Sequence, residues 1–264
     1  MTSPATGRVA VITGASRGLG AGLAASMAGS GLRLGLCARH VPPAVKPIRP
    51  TPSGRHDITA EDHLRAAVDV TDADALTRFA DAVVERFGRI DLWVNNAGVL
   101  GPIGRLVDLP AAAVAEVVDV NVVGVLNGSA VFARHVRSRP GPGVLINIST
   151  GAATKPYVGW AAYCASKAAV DQLTRVVALE EAAHGLAAYA LAPGVVDTDM
   201  QAAVRASDEA SFPEVERFRR IAVEHEFNSP QWVGEYIRAL AFGTDHPSDV
   251  VQRVPAQPVN GLAG

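Results

Sequence analysis

Cysteine is nearly absent from this chain. Its 264 residues include two, Cys37 and Cys164. They have no CxxC spacing and no clustered histidine partners, so a disulfide framework and a zinc site are not expected, and a reducing cytoplasm is. An excess of charge is missing too: the formal net charge is −2, with both signs spread along the chain. No basic block points to nucleic acid, and no basic amphipathic helix points to a membrane surface. The segment Met1 to Gly7 lacks the apolar centre of a signal peptide, and no apolar run reads as long enough to span a bilayer. No repeat at a fixed period is visible. What is present is 48% hydrophobic and 19% charged residues, a ratio that supports a large buried core.

Short apolar runs alternate with longer helical patterns. The strand candidates are Val9–Ile12, Leu32–Cys37, Ala66–Val70, Ile90–Val94, Val144–Ser149, Leu186–Leu191 and Gln252–Val259. Most are near-continuously apolar, as strands covered on both faces are. The helix candidates are Leu19–Gly29, Asp72–Phe87, Pro110–Arg137, Trp160–His184 and Pro230–Phe242. This order predicts an α/β fold, a doubly wound parallel sheet in one domain spanning 1–264. Five prolines between Val41 and Gly54 exclude a regular helix there and predict a long extended loop. The stretch Asp199–Ser229 mixes aromatic and charged residues and reads as a partly helical, mobile flap.

The first strand runs into Thr13-Gly14-Ala15-Ser16-Arg17-Gly18-Leu19-Gly20. Glycines here permit a tight turn and close approach of backbone to a pyrophosphate, and the helix that follows aims free amides at it. A glycine-rich turn without a ligand is the alternative, but the strand before and helix after favour binding. The spacing is Gly14-x3-Gly18-x-Gly20 rather than GxGxxG. With Asn95-Asn96-Ala97-Gly98 after the fourth strand, Asn121 in a helix, Tyr163-x3-Lys167, and Pro193-Gly194 after the sixth strand, the chain resembles the short-chain dehydrogenase/reductase family over almost its full length. The resemblance implies a Rossmann-type fold and a nicotinamide cofactor.

Which dinucleotide is read at the end of the second strand. An acid there would bind the adenosine ribose and favour NAD. Ala38-Arg39 offers no acid and a planar cation suited to a 2′-phosphate, and Arg17 offers a second, so NADP(H) is expected. Solvated surface arginines are the alternative. The resemblance implies that Asp69 and Val70 contact adenine. It places Asn96, Ala97 and Gly98 along the adenosine ribose, and Pro193, Gly194, Val196 and Thr198 near the nicotinamide. Asp69 could instead be a strand-end cap and Thr198 a helix N-cap.

Carbonyl reduction needs a hydride on carbon and a proton on oxygen. Tyr163 is the candidate acid. Lys167, at i+4, shares its helix face and is expected to lower the phenol pKa. Such a pair could also be an ordinary amphipathic spacing; the other motifs give it meaning. The family's substrate-orienting serine falls thirteen residues before the tyrosine, at Thr150, with Ser149 beside it. Thr150 keeps the hydroxyl, and its methyl crowds the pocket. The resemblance further implies that Asn121 holds a water linking Lys167 to solvent. Segments around Gly159–Cys164, Ala178–Glu181 and Asp197–Met200 resemble the sepiapterin reductase and benzil reductase branch. That branch's pterin-anchoring acid has no counterpart at Gln252 or Arg253, which argues against a pterin and for a hydrophobic ketone or diketone, with Tyr157 and Trp160 as pocket walls. The expected partners are a small carbonyl or alcohol substrate and further copies of the chain, as a homodimer or homotetramer through Pro110–Arg137 and Trp160–His184. A catalytically weak NADP-binding sensor or assembly protein is the other reading.

Overall fold

Strand pairing follows from apolar runs that have both faces to bury. A computed structural model describes residues 7–46, 62–244 and 246–258. Its sheet consists of β1 (Val9–Thr13), β2 (Arg33–Ala38), β3 (His63–Ala67), β4 (Leu92–Asn95), β5 (Gly143–Ile148), β6 (Leu186–Ala192) and β7 (Val251–Arg253). All neighbours are parallel, in the order β3-β2-β1-β4-β5-β6-β7. The order reverses between β1 and β4, so the C-terminal strand ends open a crevice there, the usual ligand position in such sheets.

Eight α-helices connect the described strands: α1 (Gly18–Gly29), α2 (Ala73–Phe87), α3 (Ala111–Val118), α4 (Gly124–Arg137), α5 (Ala161–Glu181), α6 (Asp199–Arg205), α7 (Val215–Val223) and α8 (Pro230–Phe242). Side-chain caps mark the starts of α2 and α8. The Asp72 carboxylate accepts from the Ala75 N–H at 2.8 Å, and Ser229 caps α8 with Pro230 in its first turn. One apolar cluster lies between the sheet and α1 and α8, and another between the sheet and α2 and α4. A third, smaller cluster joins α5 to the flap beyond the C-terminal strand ends.

Several expectations are corrected. The third strand ends at Ala67 rather than Val70, because the Val68 N–H closes the pairing on the Ala38 carbonyl at 2.8 Å. Val68 and Val70 still bury their side chains, from the turn beyond. The last strand stops at Arg253; Pro255 has no amide to continue it, and Val259 lies outside the described residues. The single helix expected over Pro110–Arg137 is interrupted by a π turn at Asp119–Val123. Ala111–Arg137 is also long and apolar enough to cross a membrane by length and composition, contrary to the sequence reading. It packs against α2, α5 and the sheet, with 28% of its apolar window buried. In the proline-rich stretch, residues 41–46 lack regular structure, and the remainder, to Gly54, lies outside the described residues.

Candidate active site

The phosphate turn is shaped by close approach. A Cβ at Gly20 would stand 2.3 Å from the Gly14 carbonyl oxygen, and one at Gly14 would stand 2.7 Å from the Ala97 Cα. Gly14 and Gly18 also adopt the left-handed region, at φ +66° and +54°. Asn96 braces this turn: its amide donates to the Thr13 and Gly14 carbonyls at 2.9 and 3.2 Å. The Thr13 hydroxyl accepts from the Asn96 and Ala97 N–H groups. Ser16 and Leu19 lie within the turn and the first helical turn, and Leu19 packs on the core. Helix α1 begins with no side-chain cap and no acid in its first turn. Its free amides suit an anion, so the cradle fits a pyrophosphate.

The flanking residues fall along one edge. Gly18 approaches Thr198, whose methyl would lie 3.3 Å from an added Cβ. Thr198 caps α6 by accepting from the Gln201 N–H at 3.4 Å. Ala38 ends β2, and Arg39 follows, exposed, 3.9 Å from Glu116. Arg17 is equally exposed and pairs with Asp199 at 3.2 Å. Neither guanidinium is buried by its partner, so both stay open to a phosphate. Asp69 is exposed and accepts from the Thr71 N–H and hydroxyl, the strand-end cap that its position allowed. Val70 is buried against Gly124. Pro193, Gly194 and Val196 form the turn after β6. Asn228 ties that turn down: its amide donates to the Pro193 carbonyl at 2.8 Å and to the Pro255 carbonyl at 3.2 Å.

Around Tyr163 the polar groups are buried. Lys167 donates to the Ile148 carbonyl at 2.7 Å, and its Nζ lies 5.9 Å from the Tyr163 ring centroid. Burial lowers the Lys167 pKa to about 8, against the opposing pull of Asp171. Burial raises the Tyr163 pKa to about 12, and the neighbouring Thr150 hydroxyl, as a hydrogen-bond partner, works in the opposite direction. The expected lowering of the phenol pKa is thus overturned. Desolvation of the phenolate outweighs any benefit from the ammonium, which is turned to a carbonyl. Thr150, not Ser149, is the hydroxyl beside the phenol; the Ser149 hydroxyl donates to the buried Asp171 carboxylate in a short hydrogen bond.

Asn121 sits in the π turn, fully buried. Its carbonyl oxygen accepts from the Val99 N–H at 2.8 Å, and its amide donates to the Val99 carbonyl and the Ser166 hydroxyl. Both amide protons are therefore in use. Gly98 lies alongside, and a Cβ there would be 3.3 Å from Asn121 Oδ1 and 3.7 Å from Lys167 Nζ. The structure thus brings Gly98, Asn121 and Lys167 into one cluster.

A matching family supplies what geometry alone cannot. The short chain dehydrogenase family matches residues 8–209. The chain belongs to this family. Benzil reductase ((S)-benzoin forming) of Bacillus subtilis (strain 168) is 28% identical over 244 residues, 89% of this chain and 94% of the relative. Cis-4-hydroxycyclohexanecarboxylate dehydrogenase of Sinomonas cyclohexanicum is 32% identical, with 94% of each chain covered. The crystal structure of the KRED1-Pglu enzyme is similar at TM-score 0.77 and 30% identity, covering 94% of this chain and all of that one. This short chain dehydrogenase is accordingly an oxidoreductase.

The aromatic wall and Asn228 had no local signal in the sequence. Phe212 and Phe218, from the flap, join Tyr157 and Trp160 in an aromatic wall; Trp160 and Phe212 stack at 4.6 Å and 13°. The buried Trp160 N–H has no hydrogen-bond partner among the described residues. Asn228 comes from the far end of the flap. Asp171 could have been found, since it lies one turn beyond Lys167 on the same helix face.

Proposed function

We propose that the chain is an NADP(H)-dependent reductase of ketones or diketones, with Tyr163 as general acid. The observation that carries this reading is the half-buried Thr150 hydroxyl beside the buried Tyr163 phenol, with the buried Lys167 ammonium on the same helix, on one side of the open strand ends. The cofactor, when bound, supplies the hydride to the carbonyl carbon. Thr150 and Tyr163 together orient the carbonyl oxygen. Tyr163 then gives that oxygen its proton, so that an alcohol leaves. A phenol held near pKa 12 keeps this proton until charge develops on the oxygen. Lys167 stabilises the phenolate left behind, and Asn121 serves the water path that restores its proton.

Gly14, Ser16, Gly18, Leu19 and Gly20 hold the pyrophosphate, and Arg17 and Arg39 bind the 2′-phosphate. Asp69 and Val70 border the adenine. Asn96, Ala97 and Gly98 border its ribose, while Pro193, Gly194, Val196 and Thr198 border the nicotinamide. The similarity to a benzil reductase supports an aromatic diketone, which the wall of Tyr157, Trp160, Phe212 and Phe218 would accept. The flap over 199–229 covers the substrate. The exposed apolar side chains Leu126, Val176 and Leu179 on α4 and α5 favour a homo-oligomer. The cysteine content favours the cytoplasm. The test is a panel of ketones and diketones with NADPH and NADH side by side. NADPH consumption with aryl diketones is expected, and equal use of both cofactors would overturn the roles of Arg17 and Arg39.

A further inference from the structure

Strand β7 alternates its side chains. Gln252 turns toward α8, where it accepts from the Tyr236 hydroxyl at 3.0 Å and donates to the Asp249 carbonyl. Arg253 therefore turns to the opposite face. There its guanidinium lies over Gly151: a Cβ at Gly151 would meet Nη2 at 3.4 Å and Nη1 at 3.6 Å. Gly151 directly follows Thr150, the hydroxyl beside the Tyr163 phenol. The Arg253 backbone pairs with Ala192, the residue before the Pro193–Gly194 turn. Arg253 thus stands between the two segments assigned to substrate and nicotinamide. It is exposed, and among the described residues no carboxylate or carbonyl engages its side chain. The next cation along the same turn is different. Lys155 is already paired with Glu214 at 3.0 Å. Arg217, which donates to the Tyr157 hydroxyl at 2.9 Å, lies 3.8 Å from the same carboxylate. Among the described residues Arg253 is thus the cation at this end of the site with no acidic partner. The adjacent Ala152 belongs to the aromatic wall with Trp160 and Phe212.

From this juxtaposition we infer that Arg253 is a specificity-determining residue that receives a carboxylate on the substrate, so that the preferred ketone has an apolar body and a single anionic end. The inference rests on the proposed carbonyl reduction at Thr150 and Tyr163. A single planar guanidinium matches one carboxylate in two parallel hydrogen bonds.

The test compares 4-oxocyclohexanecarboxylate with its methyl ester, whose ketone is the same and whose charge is removed. Steady-state kinetics with NADPH are measured for the natural chain, Arg253→Gln and Arg253→Lys. Arg253→Gln is expected to lower kcat/KM for the acid about tenfold or more, mainly through KM, and to leave the ester unchanged; a charged hydrogen bond is of that order. Arg253→Lys should recover part of the loss. Equal effects of Arg253→Gln on acid and ester, or no effect on either, would overturn the inference. A second readout does not depend on turnover: calorimetric titration of the unreactive cyclohexanecarboxylate into the NADP-loaded protein. Weaker binding to Arg253→Gln is expected, and identical binding to both proteins would overturn the anion site. Should no ketone be reduced while this titration still separates the two proteins, the reductase reading fails and the anion site stands.

Discussion

At the scale of residues, Thr150 and Tyr163 make complementary demands on a substrate oxygen. If the Thr150 hydroxyl orients the carbonyl, Thr150→Val, which keeps shape and removes the hydroxyl, should lower kcat about a hundredfold, as removal of one catalytic hydrogen-bond donor does. Thr150→Ser should retain most of the rate, because it keeps the hydroxyl and relieves the pocket of a methyl. Steady-state kinetics distinguish the two, and equal losses would place the effect in packing instead. The pH dependence follows from Lys167. Its pKa is lowered to about 8, so its charge is present below that value and lost as pH rises through it. Tyr163 stays protonated across the whole range, at about 12. The kcat/KM for ketone reduction should therefore fall with rising pH around 8, and a plateau persisting to pH 10 would contradict a role for the ammonium. The sequence shows that Tyr163 and Lys167 are one turn apart, but the sign of the phenol shift is not legible there. Spacing makes two groups neighbours; burial, which decides the sign, comes from residues far along the chain.

At the scale of elements, β1, β2, β4, β5 and β6 were legible because strands buried on both faces are continuous apolar runs. The edge strand β3 was misplaced because Val68 and Val70 are apolar for a different reason, burial from a loop. The π turn at Asp119–Val123 was hidden because the apolar periodicity runs through it unbroken. The glycine turn was legible because its chemistry is contiguous in sequence, whereas the aromatic wall is assembled from the β5–α5 loop and the flap. That wall carries a prediction. Phe212 is fully buried and stacked on Trp160, and it anchors the residues between α6 and α7. Phe212→Ala should cost about 3–5 kcal/mol of local or global stability, the usual loss for a buried aromatic. Faster amide hydrogen exchange across α6 and α7, with α1 and α2 unaffected, is the expected signature. Uniform exchange throughout the chain would show that the flap is not a separate unit.

At the scale of the whole molecule, the parallel sheet gathers the C-terminal ends of β1, β2, β5 and β6 on one side, and with them nearly every residue assigned a role. The opposite concern is the outer face. Leu179 is 83% exposed on α5 and Val176, one turn before it, 40% exposed, an apolar strip that a contact between copies would cover. Leu179→Glu is expected to lower the mass seen by sedimentation, and an unchanged mass would exclude this face as the contact. Proton donation by Tyr163 is tested most directly by Tyr163→Phe. The rate of NADPH oxidation with the best ketone should fall about 10²–10⁴-fold, the range for loss of a general acid. NADPH binding by fluorescence should stay within a few-fold of that of the natural chain. A Tyr163→Phe protein that reduces the ketone as fast as the natural chain would contradict the account.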